Sequence, residues 1–354
     1  MVPGLSFPTP RGWGVRGYFR RHASNRLCAG QLADMNISLL IGVGAGLASA
    51  VLYASAWTGT VLGLFVLFFL SPMPVAIAGL GWGYRSGALA AAVGCVAILL
   101  SGGLWSGVVY LIALGAPAAV FSYFALLNRT NPDGTVEWYP IGRIIMWASL
   151  WAAAISAAGM LTLGTDFASI KATMLEMLDK SLFANGAGPG GGAVTPEQKS
   201  TFASLMTAFM PWALATTWFT VAIMNVWAAG RVTVQSGMLT RPWPDLSSIT
   251  LPPGMALGFG LAVIGMMAPD MAGLIASCFA SALLFAFMLV GLGILHRLSR
   301  GYSIRPMILA VVYAGLLFMP PFANLIVAMI GLAEPFFRGR LPPGAGASGP
   351  PSGS

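Results

Sequence analysis

The groups that could do chemistry are concentrated at one proline-rich break, Ser71-Pro72-Met73-Pro74. Two prolines two positions apart remove two helical N–H donors and leave the carbonyls of Phe68 and Leu70 without their helical partners. In apolar surroundings such carbonyls must find other donors. The break therefore predicts either a ligand site built from backbone groups or a proline kink that neighbouring helices satisfy. The residues expected to line such a site are Ser71, Pro72 and Pro74.

A glycine-rich turn follows the break and ends near an arginine. Glycine occupies positions 79, 81, 83 and 87, a composition that lets two helices approach closely. No strand precedes this run and no Lys-Ser or Lys-Thr pair follows it, so it is not a nucleotide-binding loop. Gly81, Gly83 and Arg85 are further candidates for the ligand site. Arg85 equally fits a charged anchor at the end of a helix.

Uncharged polar side chains inside the apolar segments are few. The notable ones are Tyr53, Tyr110, Ser122, Asn225 and Asn324. Asn225 fits either a ligand contact or a hydrogen bond between helices. No Ser-His-Asp triad, metal-ligand set or carboxylate pair can be assembled at this depth, so we expect no enzymatic activity, no metal and no cofactor. Cys28, Cys95 and Cys278 are far apart in sequence, and we expect no disulfide.

Small residues line one face of the first apolar segment. Gly42, Gly46 and Ala50 recur every four residues. Such a face lets another helix approach closely, and it is a common association device of membrane helices. The partner helix belongs either to the same chain or to a second membrane protein.

The composition around these groups is that of a membrane protein. Charged residues make up 8% of the chain, hydrophobic residues 57%, and the mean hydropathy is +0.81. A soluble domain has roughly 25% charged residues. The net charge is +8, and the arginines that give rise to it are spread over many short loops. This distribution is typical of the positive-inside rule of membrane proteins. Because the arginines form no single basic face, it argues against a nucleic-acid partner.

The charge-free windows predict an all-α bundle of eight or nine transmembrane spans in residues 35–340. The expected spans lie near 37–56, 60–83, 86–101, 104–127, 143–164, 202–229, 254–268, 271–295 and 307–332. The segment 254–268 is short enough to be a re-entrant helix. Nine spans with a cytoplasmic N-terminus satisfy the positive-inside rule better than eight, and eight would reverse the side of the C-terminus.

The exterior loop 165–201 and the two termini complete the organisation. Apolar residues recur in this loop at helical spacing: Phe167, Ile170, Met174, Leu178 and Leu182. This spacing predicts an amphipathic helix on the membrane surface. The alternative is that the whole loop is a solvated spacer. Thr195 to Gln198 matches a capping box, so a long helix should start at Thr195, and Pro211 should kink it.

The Arg-rich segment 1–34 is predicted to be a disordered cytoplasmic tail, with a transit peptide or a native start at Met35 as alternatives. The Pro, Gly and Ser tail 341–354 is also predicted to be disordered.

Several short motifs resemble the YybS-like family of uncharacterised bacterial membrane proteins over residues 35–340. They are Met35-Asn36-Ile37, the Ser71–Pro74 break leading through Gly79, Gly83 and Gly87, the segment from Arg241 to Pro253, and Gly331 to Arg338. The first half is also similar to the S components of energy-coupling-factor vitamin transporters. That similarity implies an S-component-like fold and suggests Gly42, Gly46 and Ala50 as positions that dock a partner subunit. The chain departs from S components, which have about six helices, by its extra spans and long exterior loop.

The expected function is that of a multi-pass protein of the bacterial inner membrane that binds a small molecule, with a relation to transport. The alternative is a membrane scaffold that docks other membrane proteins through small-residue helix faces. The expected partners are the lipid bilayer and either a small-molecule ligand or a membrane-protein partner.

Overall fold

A computed structural model describes residues 15–56, 61–183, 192–320 and 322–337. The helices are α1 (Val15–Ala56), α2 (Val61–Leu70), α3 (Met73–Trp82), α4 (Tyr84–Tyr110), α5 (Ala116–Leu126), α6 (Ile141–Leu163), α7 (Phe167–Lys180), α8 (Pro196–Gln235), α9 (Gly254–Gly265), α10 (Asp270–Leu298), α11 (Arg305–Phe318), α12 (Phe322–Leu332) and α13 (Glu334–Phe337). A π-helical turn, Leu111–Gly115, joins α4 to α5, and a 3-10 turn spans Leu246–Ser248.

Six helical segments of the described chain are long and apolar enough to cross a membrane. They are Asn36–Ala56, Phe65–Trp82, Tyr84–Leu126, Ile141–Leu163, Pro196–Gln235 and Asp270–Leu298. The prediction of a helical membrane protein is confirmed. Most of the buried side chains where α3, α6, α8 and α10 meet are alanines, which let these helices pack closely.

The segment Tyr84–Leu126 folds back on itself at Gly103. This glycine has φ +85°, a left-handed conformation that a residue with a side chain rarely adopts, and it interrupts the helix. Beyond it, Gly107 lies against Leu99 and Gly115 lies against Ala91, so the second half runs antiparallel to the first. This reversal agrees with two separate predicted spans at 86–101 and 104–127.

The proline break lies where the sequence predicts it. Helix α2 ends at Leu70 and α3 begins at Met73, with Pro72 immediately before it. Gly83, with φ +88°, then separates α3 from α4. The glycine-rich turn does bring helices close together, because a Cβ atom on Gly87 would lie 2.9 Å from the Cα atom of Gly79.

The prediction of one continuous span at 307–332 is wrong. The helix stops at Phe318 and restarts at Phe322, because Pro320 and Pro321 cannot continue the hydrogen-bond ladder. Helix α11 buries none of its residues. Helix α12 packs antiparallel to α10, with Val327 against Gly291 and Gly331 against Phe287. The predicted span at 254–268 contains only the 12-residue helix α9.

A small β-hairpin departs from the all-α prediction. Strands β1 (Asn128–Thr130) and β2 (Val136–Trp138) pair antiparallel between α5 and α6. The turn contains Asp133, whose carboxylate accepts from the Thr135 backbone, and Gly134 at φ +81°. These are the residues that a tight hairpin turn requires, so the local sequence overrides the surrounding helical pattern.

Helix α8 has the predicted N-terminus, and helix α7 lies in the segment with the predicted amphipathic spacing. Thr195 and Gln198 form the expected capping box, and Pro211 lies inside α8. Helix α7 packs on α8 at one end of the bundle, where Ile170 and Phe183 are buried and the Phe183 ring meets Phe202.

The two predicted tails are only partly described. Helix α1 begins at Val15, inside the segment 1–34 for which disorder was predicted; no proline interrupts the chain from residue 11 to residue 71. Residues 1–14 and the predicted tail 341–354 lie outside the described part of the chain.

Charges are divided between the two ends of the bundle. One end, which we call the arginine end, carries Arg85, Arg129, Arg143, Arg231, Arg241, Arg297, Arg300 and Arg305. Its loops are pinned to the helices: Arg241 donates to the carbonyl of Ala125, and the Arg231 guanidinium lies 5.1 Å from the centre of the Trp243 ring. The opposite end, the α7 end, carries Lys171, Lys180, Lys199, Asp166, Glu176, Asp179, Glu197 and Asp270.

Candidate functional site

Three carbonyls at the α2–α3 break accept hydrogen bonds from side chains instead of from the helical ladder. The Ser71 hydroxyl donates to Phe68 O at 2.9 Å. The Asn225 amide donates to Phe69 O at 2.6 Å, and the Ser49 hydroxyl donates to Ser71 O. The break thus exposes the carbonyls of Phe69 and Ser71, which α8 and α1 satisfy through Asn225 and Ser49, in place of the Leu70 carbonyl that the sequence predicts.

Two neighbouring helices bring these donors to the break. Ser49 lies on the inward face of α1, which packs closely along α4 and also contacts α2 and α3. Asn225 lies within α8, which contacts both α2 and α3. The sequence singles out Ser71, Pro72 and Asn225, and the structure brings these three residues together although Asn225 is more than 150 positions away.

Asn225 has an acceptor to which none of the described residues donates. Its side-chain nitrogen donates to two carbonyls, Phe69 O and Val221 O, which fixes the orientation of the amide. Its Oδ1 atom is buried and has no hydrogen-bond partner among the described residues, and the residue as a whole is 4% exposed. A buried acceptor without a donor is costly, so this oxygen is a candidate contact for a bound group.

Aromatic rings surround the polar contacts. Tyr110 is fully buried, and its hydroxyl lies 2.6 Å from the Ser49 hydroxyl. The Tyr53 ring meets Tyr110 edge-on at 5.4 Å and Phe68 at 6.2 Å, and Phe68 in turn lies 5.9 Å from Trp218. Sequence reasoning noted Tyr53 and Tyr110 as polar groups inside spans but did not place them with the break, and it missed Ser49. Nothing in the linear spacing links α1, α4 and the break.

Of the other predicted ligand residues, Pro74 lies at the break, and Gly81, Gly83 and Arg85 lie at the opposite end of α3 or beyond it. Pro74 is half-buried in the first turn of α3, next to the break. Gly81 and Gly83 are at the far end of α3, where Gly81 lies near Thr233 and Met238. Arg85 is exposed at the arginine end, and its Nε donates to the Tyr84 hydroxyl. The break and the glycine-rich turn are therefore separate regions.

The small-residue face of α1 is occupied by the same chain. A Cβ atom on Gly42 would lie 2.9 Å from the Ser86 carbonyl, and one on Gly46 would meet the Ala90 carbonyl and Val93. Ala50 is buried with Tyr110 and Ile98. On the outer face, Gly44 has open space around it.

One carboxylate lies where the sequence did not predict one. A continuous span at 307–332 would place Glu334 beyond the end of a helix. The break after Phe318 instead brings Gly331 against Phe287 and Gly291, so Glu334 lies beside the middle of α10 and is only 6% exposed. The adjacent prolines at 320 and 321 were the signal that could have revealed this position.

The described residues contain no cluster of three or more His, Cys, Asp or Glu side chains that could hold a metal ion. An apolar groove of about 340 Å³ lies on the outer surface between α1 and α4, lined by Leu47, Ala92, Val93, Val96, Ala97 and Leu100. Its apolar lining suits a hydrocarbon chain and offers nothing to a polar ligand.

Comparison with known protein families identifies a match over most of the chain. A family model described as "Predicted membrane protein (DUF2232)" matches residues 39–334. No curated protein and no solved structure matches the chain.

Proposed function

The chain belongs to the DUF2232 family of predicted membrane proteins, and from that premise we propose that it binds a small molecule at the α2–α3 break without catalysing a reaction. The buried Asn225 Oδ1 atom, which has no partner among the described residues, is the observation that supports this function best. It stands among neutral polar groups contributed by four parts of the chain: α1, the break, α4 and α8.

The surroundings of the break define the ligand chemistry. Ser49, Ser71, Tyr110 and Asn225 supply hydroxyl, carbonyl and amide groups without formal charge, and the rings of Tyr53, Phe68 and Trp218 lie around them. The ligand therefore carries an N–H or O–H donor for Asn225 Oδ1 on an uncharged, flat or apolar body. A strongly anionic ligand would find no compensating cation here.

We further propose that this binding is related to transport, as the similarity of the first half to S components implies. A discontinuous helix with backbone carbonyls at the binding site is a recurring device of transporters. Membership of the YybS-like family belongs to the same proposal. The added helices α9 to α13 set the chain apart from S components.

The proposed location is a bacterial inner membrane with the arginine end in the cytoplasm. Eight arginines at that end, against three lysines and five carboxylates at the α7 end, support this orientation under the positive-inside rule. Helix α1 then runs outward from a cytoplasmic N-terminus. The count of eight or nine spans is part of this proposal: it takes the short helix α9 as one crossing, and it reaches nine if α12 with α13, which start from the arginine end, form another.

Ligand binding is tested by thermal unfolding of the purified full-length chain against a panel of vitamins, nucleosides and other small metabolites. A hit should raise the midpoint for the wild type. Because Asn225→Leu removes the acceptor, it should weaken binding of the hit at least about tenfold. Asn324→Leu changes a buried asparagine on α12 and serves as the matched control. A hit whose affinity is equal in wild type and Asn225→Leu would refute the proposed site.

The second candidate function is a membrane scaffold, and the outer face of α1 favours it. Gly44 and Ala48 are exposed there among Leu40, Leu47 and Val51. Gly42→Leu and Gly46→Leu are poor tests of docking because they collide with α4. Gly44→Leu should leave the bundle intact, because a Cβ atom at this position would have no atom of another described helix within 4 Å. A partner that copurifies with the wild type but not with Gly44→Leu would support the scaffold function. Unchanged copurification would argue against it.

A further inference from the structure

A cluster of basic side chains occupies the corner where α10 turns into α11. His296, Arg297, Arg300 and Arg305 lie within ten residues of one another. Gly301, at φ +88°, lets the chain reverse between them. Arg300 and Arg305 both lie close enough to His296 to act on it electrostatically.

Little negative charge balances this corner. In the part of the chain that the structure describes, the corner's one ion pair joins Arg300 to Asp245, at 3.6 Å. The oxygen of Asp245 in that pair also accepts from the backbone and hydroxyl of Ser247. Arg300 donates to the Ser247 hydroxyl at 2.8 Å, which fixes its position at the edge of the corner.

Two of the guanidinium groups have unused donors. The Nε atoms of Arg297 and Arg305 are buried and have no hydrogen-bond partner within the described ranges. A buried N–H group of a charged side chain is costly unless it meets an acceptor. Two arginines of one corner, each with an Nε donor that no described residue accepts from, suit the oxygens of a phosphate group.

The neighbouring helix supplies a surface for hydrocarbon. Helix α11 is apolar after its first residue, buries nothing, and exposes Met307, Val311, Leu317 and Phe318. Tyr313 fixes α11 to the corner through a 2.8 Å hydrogen bond with His296. A phosphate held at Arg297 and Arg305 would therefore have its attached chains beside α11.

We propose that the α10–α11 corner binds the phosphate of an anionic phospholipid through Arg297, Arg300 and Arg305, with the acyl chains along α11. The recognised chemistry is a phosphate oxyanion, which a free phosphate ion also presents. The apolar face of α11 favours the lipid. This site is separate from the α2–α3 break and does not depend on its ligand.

Native mass spectrometry of the full chain in detergent tests the site with added phosphatidylglycerol, with phosphatidylcholine, and with inorganic phosphate. Phosphatidylglycerol should remain bound to the wild type, and Arg297→Gln/Arg305→Gln should reduce its retention about tenfold, because two charge-assisted contacts are lost. Arg129→Gln/Arg143→Gln removes two arginines of the same end outside the corner and should retain the lipid.

Four outcomes would overturn the lipid site. They are equal retention in the Arg297→Gln/Arg305→Gln variant, equal loss in the Arg129→Gln/Arg143→Gln variant, equal retention of phosphatidylcholine, or binding of inorganic phosphate that displaces the lipid at similar concentration. If the Arg297→Gln/Arg305→Gln variant does not give monodisperse protein, lipid retention is measured with Arg297→Lys/Arg305→Lys instead. It keeps the charge but loses the planar fork, so retention should still fall, and unchanged retention would refute the site.

Discussion

Ser49 takes part in two contacts that hold the break together. Its hydroxyl reaches both the carbonyl of Ser71 and the hydroxyl of Tyr110, and all three groups are buried. Within an apolar bundle no water replaces a lost partner, so the two contacts depend on each other. The polar part of the break is thus a small network in which single substitutions have consequences for other residues.

Ser49→Ala should lower stability because it leaves both the Ser71 carbonyl and the Tyr110 hydroxyl without this partner. We expect a cost of about 1–2 kcal/mol. Thermal unfolding in detergent measures it, with Ser101→Ala, an exposed serine bonded only within its own helix, as control. Adding Tyr110→Phe should cost less in the Ser49→Ala background than alone, and strict additivity would contradict the network.

Asp166 should make the opening of α7 depend on pH. Its carboxylate accepts from the Ser169 backbone and side chain, which lowers the pKa of Asp166 from its usual 3.8. The ionised form is favoured in the folded helix, so the stabilisation is present above the unfolded pKa and is lost as pH falls through the lower, folded pKa.

Hydrogen exchange of α7 measured between pH 6 and pH 2.5 should reveal faster opening at the acidic limit. Asp166→Asn keeps a good N-cap but has no charge to lose, so its exchange, corrected for the intrinsic pH dependence, should remain flat. A wild-type profile as flat as that of Asp166→Asn would show that the carboxylate does not stabilise the folded helix.

At the scale of elements, helix boundaries follow local chemistry wherever a cap or a proline determines them. Thr195, Gln198 and the Ser71–Pro74 break were sufficient to predict the start of α8 and the interruption of α2–α3. The same reasoning applied to Pro320 and Pro321 would have divided the span 307–332. The contact of Ser49 and Asn225 with the break could not be predicted, because hydropathy gives the depth of a span but not its neighbours.

The α1–α4 contact gives a direct test of element packing. A side chain at Gly46 would collide with the Ala90 carbonyl and Val93, whereas Gly44 has nothing within 4 Å. Gly46→Leu should cost about 1–3 kcal/mol or prevent assembly, since the backbone of α4 must move. Gly44→Leu should leave stability nearly unchanged. Thermal unfolding and gel filtration compare the two, and equal effects would mean that α1 does not pack on α4 through this face.

At the scale of the whole molecule, the division of charge between the two ends was predictable from the sequence, and the depth of the C-terminal helices was not. The arginines of the short loops do meet at one end, as the positive-inside rule requires. The sequence predicts Glu334 at the surface, whereas the structure places it beside α10, because Pro320 and Pro321 redirect the chain. A topology based on counting spans therefore fails where helices are broken.

Cysteine labelling in intact cells distinguishes these topologies. In a variant without native cysteines, Glu334→Cys should react poorly with a membrane-impermeant maleimide, since its position is buried beside the middle of α10. Lys180→Cys, exposed at the α7 end, should react from outside the cell, and Arg129→Cys should react only after the membrane is permeabilised. Rapid labelling of position 334 from outside the cell would instead support a continuous span at 307–332.

Helix α8 has a mechanical consequence that follows from its length. It spans 40 residues with Pro211 inside it, and it is held near Gln235 by the loops of the arginine end and near Lys199 by a 2.6 Å ion pair with Asp179. Asn225 is about 15 Å from one end and about 44 Å from the other, at 1.5 Å per residue. If α8 tilted as a rigid body about Asn225, its α7 end would therefore move about three times as far as its arginine end.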